Sequence, residues 1–178
     1  MKIVKRSDIK EAPEYFEYFI KLVDDIELIE AFDKSLKQID DLDIRQLKRI
    51  GLKSYEDGKW SINKIIQHLT DWERIWCYRT LVFARKEGTI PEGLEQEIMA
   101  DNSNADELSI EQLIAELKVV RLATKAMFDS YNRQLLEINC KFYKYEMTVL
   151  AMGFTIIGHQ LHHFDIIKER YLPLDNQN

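Results

Sequence analysis

Ser61-Ile62-Asn63-Lys64-Ile65-Ile66-Gln67-His68-Leu69-Thr70-Asp71-Trp72-Glu73-Arg74-Ile75-Trp76-Cys77-Tyr78-Arg79 reads as a helix from its own pattern. Ile65, Leu69, Trp72, Trp76 and Phe83 recur at helical spacing, and Ser61 stands where an N-cap is needed to accept from the free backbone N–H groups of a first turn. The helix is expected to run to about Lys86 and to close at Gly88. Upstream, the turn pair Asp57-Gly58, then Gly51 and a short helix over Asp43–Ile50, form a connection with some structure. Before that, Phe16, Phe19, Ile20, Val23, Ile26, Ile29 and Phe32 predict one long helix from Pro13 to about Ile39, with Pro13 suited to a first turn.

Downstream, residues 89–108 are polar and without period, a length that points to a functional or partly ordered loop. Ser109 with Gln112 makes a capping box, and Leu113, Leu117, Val120, Ala123, Thr124 and Phe128 carry a third helix to about Leu136. Ile138 to Tyr145 reads as a short extended linker, and a fourth helix is expected from about Met147 to Tyr171, stopping before Pro173. The tail Asp175-Asn176-Gln177-Asn178 is expected to fray. Four long helices in a chain of this length predict an all-α, single-domain four-helix bundle over residues 1–178.

Composition narrows the function classes. With 46% hydrophobic and 31% charged residues, and few Gly and Pro, the chain is globular rather than disordered. A net charge of -6 argues against binding a phosphate backbone, so nucleic acid is set aside as a partner. Cys77 and Cys140 form no Cys-x-x-Cys motif and are too few for a disulfide framework, so both are expected reduced and half-buried. The N-terminus, Met1-Lys2-Ile3-Val4-Lys5-Arg6, lacks the apolar run of a signal peptide. No stretch reaches the roughly 18 apolar residues of a membrane span. A cytoplasmic protein with no membrane partner is the resulting expectation.

The sequence has 4 histidines, three of them in Gly158-His159-Gln160-Leu161-His162-His163. Residues four apart on a helix differ by about 40° around the axis, so His159 and His163 project from one face and can grip one ion, whereas His162 points about 100° from His163. His-Glu-x-x-His metalloproteases use the same spacing, but Gln160 stands where they carry the glutamate base. The remaining imidazole, His68, lies among Ile65, Leu69 and Trp72 and is expected to face inward or to sit at the edge of the core. Three neutral imidazoles with an open position would suit zinc, nickel or another mid-row divalent ion. Spacing alone leaves a second reading open, in which His68 is a hydrogen-bonded core histidine and the cluster is a solvated helix end. If a metal is bound, the free-histidine pKa near about 6.5 predicts that affinity falls below about pH 6.

Gly58-Lys59-Trp60 followed by the helix from Ser61 to Arg79, then Phe83-Ala84-Arg85, the Gly158–His163 block and the closing Ile167-Lys168-Glu169-Arg170-Tyr171-Leu172 together resemble the DinB-like superfamily. The resemblance spans roughly residues 58 to 172 and has two signature blocks in the right order. It implies a four-helix bundle with a long connection between helices two and three, and a metal held by three histidines. It maps these onto His68, His159 and His163, with His162 a neighbour of the site. Leu94 and Gln96 stand in a loop that usually contains Phe and Asp in close relatives.

The activity so implied is that of a metal-dependent enzyme acting on a small molecule, either a thiol S-transferase with a low-molecular-weight thiol as second cofactor or a hydrolase. The alternative is a non-catalytic metal-binding or stress-response protein that retains the fold. A homodimer through helix faces is implied as well.

Other residues carry weaker expectations. Asp71 could orient an imidazole, although an exposed helix charge is the simpler reading, and Asp165 has the same status beside His162. Glu73, Arg74, Arg79 and Arg170 are candidates for ion pairs joining helices two and four. Trp60, Trp72 and Trp76 are read as core or pocket wall, and Tyr78 and Tyr145 as candidate pocket groups. Cys77, nine residues past His68, falls about 180° around the helix and so points away from the ligands.

Overall fold

The computed structural model describes residues 4–176. It contains eight α-helices among the described residues: α1 (Glu14–Leu22), α2 (Leu28–Asp40), α3 (Ile44–Ile50), α4 (Ile62–Ala84), α5 (Gln96–Asp101), α6 (Ile110–Asp129), α7 (Arg133–Leu136) and α8 (Val149–Ile166). A hairpin of β1 (Asn139–Phe142) and β2 (Tyr145–Thr148) precedes α8. The bundle's four columns are α1 with α2, α4, α6 and α8. The column of α1 and α2 packs on α6 and α8, and α4 packs on the same two. The first and second columns therefore face each other across the diagonal instead of lying side by side. The connection between α4 and α6 is long, as expected.

The expected first helix is broken in two. After Leu22 the backbone turns extended at Val23, and the segment before α1 takes up the freed groups. The Ser7 N–H donates to Asp25 Oδ1 at 2.8 Å, the Leu28 N–H to the Val4 carbonyl at 3.1 Å, and Lys5 bridges Glu27. Asp25 accepts from a backbone N–H 18 residues away, a bond that the helix interior would not offer it. Periodicity missed the break because both halves bury the same face, through Phe16 and Phe19 on one side and Ala31 and Phe32 on the other.

The loop at 89–108 holds α5 and a 3-10 turn at Ala105–Glu107. Its anchor is Asn63 on α4, whose Nδ2 donates to the carbonyls of Ala105 and Leu108. The third helix stops at Asp129 rather than Leu136, because Asn132 caps the separate turn α7 by accepting from the Leu135 N–H. The extended linker is a strand pair, with Cys140, Phe142 and Met147 on the buried face and Tyr143 at φ +49° in the turn. Thr148 then caps α8, so the fourth helix starts two residues later than expected.

The caps at Ser61 and Ser109 stand as read. The end of α4 comes at Ala84, four residues before Gly88. At the C-terminus the helix winds into a π turn at Ile167–Tyr171 and a 3-10 turn at Leu172–Asn176 that includes Pro173. Arg49 holds Asp175 with two hydrogen bonds at 2.9 and 2.7 Å, contrary to the expected fraying there. Residues 177 and 178, and residues 1–3 of the N-terminal reading, lie outside the described residues.

Two apolar cores meet at α4. Ile65, Ile66 and Leu69 belong to one, with α3 and the start of α6, whereas Trp72 and Trp76 belong to the other, with α1, α2, the hairpin and α8. His68 sits at their boundary. The ion pairs do not join α4 to α8 as expected. Glu73 pairs with Arg121 of α6, and Arg74 reaches Glu116, also of α6, at 2.7 Å. Arg121 adds a bond to Ser35 Oγ at 2.7 Å, while Gln160 of α8 donates to the Ser35 carbonyl at 3.0 Å. This buried network ties α2, α4, α6 and α8 together. None of the helices among the described residues is long and apolar enough to cross a membrane.

Candidate metal centre

His68 comes from the middle of α4, and His159 and His163 from successive turns of α8. One nitrogen from each ring lies within 4.8 Å of the others. His159 Nε2 is 3.1 Å from His68 Nε2 and 3.1 Å from His163 Nε2. His68 and His159 are buried and His163 is half-buried.

Glycine at 158 makes this arrangement accessible. A side chain there would run into the Phe19 carbonyl, so only glycine lets α1 lie backbone to backbone on α8. That contact seats the Phe19 ring 5.3 Å from His159. Trp76 closes on His159 at 4.8 Å and Trp60 on His68 at 4.9 Å between ring centroids, so the tryptophans wall the site. Trp60 lies before α4, and its carbonyl accepts from the Tyr171 hydroxyl at 2.5 Å.

Burial sets the charge of the three rings. It holds the His68 pKa down to about 4, with His162 adding a smaller repulsion. His159 lies well below the ordinary histidine value, from burial first and then from His163, His68, His162 and Arg121. His163 is lowered in the same way by burial, then by His68 and His162. All three imidazoles are therefore neutral near pH 7.

Neutral rings create a bonding problem that identifies what the cluster suits. An imidazole Nε2 carries either one hydrogen or one lone pair in the ring plane. His159 Nε2 can thus satisfy one of its two close neighbours by hydrogen bonding, not both. A cation placed among the three nitrogens accepts a lone pair from each, so the donor set fits a divalent metal of the zinc and nickel type. A hollow of about 300 Å³ opens beside it, walled by Tyr15, Tyr18, Phe19, Trp60, Gln96 and the three histidines of α8.

The DinB superfamily profile matches residues 17–167, most of the chain. The chain belongs to the DinB superfamily. Among solved structures it is similar to YfiT from Bacillus subtilis, described as a probable metal-dependent hydrolase with an unusual four-helix bundle topology. The likeness has a TM-score of 0.62 at 16% identity and covers 90% of this chain and 87% of that one, which shows a shared fold. No curated protein matches the sequence.

The remaining expected residues sort by contact. His162 Nδ1 meets the Tyr18 hydroxyl at 3.0 Å and stands outside the three-histidine cluster of this DinB-superfamily chain. Asp71 accepts from Gln67 at 2.8 Å and contacts none of the histidines, which leaves it a helix carboxylate raised by burial. Asp165 lies by a hollow on the other side of α8. Tyr145 lines a hollow near the site, but Tyr78 is exposed. Cys77 bonds Thr124 on α6 and points away, as its phase implies.

Sequence reading missed Tyr18 and Phe19, whose approach depends on the close packing at Gly158. Gln96, singled out in its loop from the sequence, walls three adjoining hollows. Its departure from the pattern of close relatives was the available signal.

Proposed function

We propose that this protein is a metal-dependent enzyme of the thiol S-transferase or hydrolase type, with His68, His159 and His163 as the ligands of one zinc or nickel ion. The observation that carries the reading is the convergence of three neutral ring nitrogens on one point, where hydrogen bonding alone cannot satisfy His159. A divalent ion there makes a water or a thiol acidic enough to serve as a nucleophile near neutral pH.

The residues around it fit that use. The tryptophans and Phe19 exclude water from the ligand side, which strengthens electrostatic interactions, while the hollow at His159 and His163 leaves an approach for a small molecule. An approach on one side favours catalysis over a purely structural site, which would be closed. Among the described residues, no Cys, Ser or Glu lines the hollow at His159 and His163, in keeping with an external nucleophile, while Glu97 borders the neighbouring hollow that His163 shares. A cytoplasmic location and a homodimer are part of the same proposal.

Elemental analysis of untagged protein is the test. One divalent ion per chain is expected, with strong loss in each of His68→Ala, His159→Ala and His163→Ala. Unchanged metal content in all three would overturn the ligand assignment. Parallel screens of electrophiles with a low-molecular-weight thiol, and of esters and amides without one, separate the two chemistries.

A further inference from the structure

Among the described residues two arginines are buried, and they differ in their partners. Arg121 is 1% exposed and meets Glu73 and Ser35 through its guanidinium. Arg79 is 6% exposed and has no ion pair among the described residues. One of its terminal nitrogens donates to the Glu92 carbonyl at 2.9 Å, and its guanidinium lies 4.7 Å from the centre of the Phe142 ring. Its Nε is buried and without a hydrogen-bond partner among the described residues. A buried guanidinium is costly unless paired, so the missing partner points to a ligand that supplies the negative charge.

Arg79 borders a hollow of about 390 Å³ with Tyr15, Trp72, Trp76, Phe142 and Tyr145 among its walls. This volume is within the range of small-molecule sites. The hollow adjoins the histidine cluster. Tyr15 and Gln96 are walls of both this hollow and the one at His159 and His163. On α4, His68, Trp72, Trp76 and Arg79 fall on one stripe, since 4, 8 and 11 residues correspond to turns of about 40°, 80° and 20°. Arg79 is thus about 16 Å along the helix from His68, separated from it by two indole rings. The roof is tied down: the Tyr143 N–H donates to the Pro91 carbonyl at 2.8 Å, and Gly93 packs against the Tyr143 ring.

We propose that this aromatic-walled hollow is the substrate slot of the histidine site and that Arg79 recognises a carboxylate at its far end, so that the substrate is a small apolar or aromatic monocarboxylate. This inference rests on the reading of the histidine cluster as an enzyme's site. A single guanidinium matches one carboxylate through its planar fork, whereas Glu92 and Glu95 near the mouth disfavour a more highly charged anion. Burial lowers the Arg79 pKa, in accord with a cation short of a partner.

The probe is 4-phenylbutyrate compared with its uncharged amide, with binding to the full chain measured by calorimetry and by tryptophan fluorescence. Chelator-treated and zinc-reloaded protein are both measured. The carboxylate is expected to bind about tenfold or more tighter than the amide in both forms. Arg79→Gln is expected to abolish that preference, and Arg79→Lys to retain part of it.

Equal binding of acid and amide by the wild type, or no binding of either at millimolar concentration, overturns the proposal without need of a variant. An undiminished preference in folded Arg79→Gln overturns it as well. Because the preference is read in the chelator-treated chain, its failure is distinct from loss of the metal reading, which the metal content of the histidine variants decides.

Discussion

His162 lies beside His163 in sequence, yet its Nδ1 is engaged by the Tyr18 hydroxyl, and its ring is outside the cluster. His162→Ala is therefore expected to keep most of its metal, measured by elemental analysis beside His163→Ala. Loss in the first with retention in the second would exchange their roles. Cys77 offers a second residue-scale prediction. Burial pushes its pKa up to about 12, and that of Cys140 likewise, so at pH 8 only about one thiol in ten thousand is thiolate. Thiol reagents should label neither in the native chain and both after unfolding; fast native labelling at pH 8 would show that one of them is accessible and ionised. That His159 and His163 share a face was legible in the sequence because helix phase alone pairs them, whereas the approach of His68 to them was implied by the family resemblance. Arg79 was not, since the lack of a partner is a property of the folded neighbourhood.

At the level of the helices, two contacts hold the site in place, and neither follows from local pattern. The first is α1 on α8 at Gly158. Alanine normally gains about 1 kcal/mol over glycine inside a helix. Here its Cβ would overlap backbone of Phe19, which cannot rotate away as a side chain would. Overpacking costs about 1–3 kcal/mol even where side chains adjust, so Gly158→Ala should destabilise by about 2 kcal/mol or more. Urea unfolding measures it, and a stabilised variant would refute the close approach.

The second is Glu73 with Arg121, both at 1% exposure. Removing Glu73 alone leaves a buried cation and should cost about 3–5 kcal/mol, whereas Glu73→Leu with Arg121→Met should recover most of it. Additive losses in that cycle would mean that the two charges do not depend on each other. Helix positions were readable from periodicity and caps. The break at Val23 and the hairpin were not, because the first is set by pairing with the distant segment at Val4–Ser7 and the second by burial against the bundle.

For the whole molecule, a metal held by α4 and α8 would link the two cores that meet at His68, so its removal should lower global stability. An ion that binds only the folded chain, present at about a hundredfold over its dissociation constant, adds about 2.7 kcal/mol, which in a domain of this size is about 5–10 °C of melting temperature. The structure changes the pH at which this contribution should fade. Free histidine predicts a loss below about pH 6, but proton competition on the folded chain follows the folded pKa values. Burial holds His68 down to about 4 and keeps His159 and His163 well below the ordinary value. The difference in melting temperature with and without chelator should therefore persist at pH 5.5 and close only towards pH 4.

Both forms should lose stability over that range for a separate reason. Below about pH 6.5 the unfolded chain binds protons that the folded imidazoles refuse, so stability is full above that pH and falls as pH drops towards the folded values, by up to roughly 3 kcal/mol for His68. Melting curves at pH 7.5, 5.5 and 4, with removal of the metal confirmed, test both effects. A gap that has already closed at pH 6 would mean that the three rings titrate like exposed histidines. No gap at pH 7.5 would mean that the ion, if bound, contributes nothing to joining the two cores.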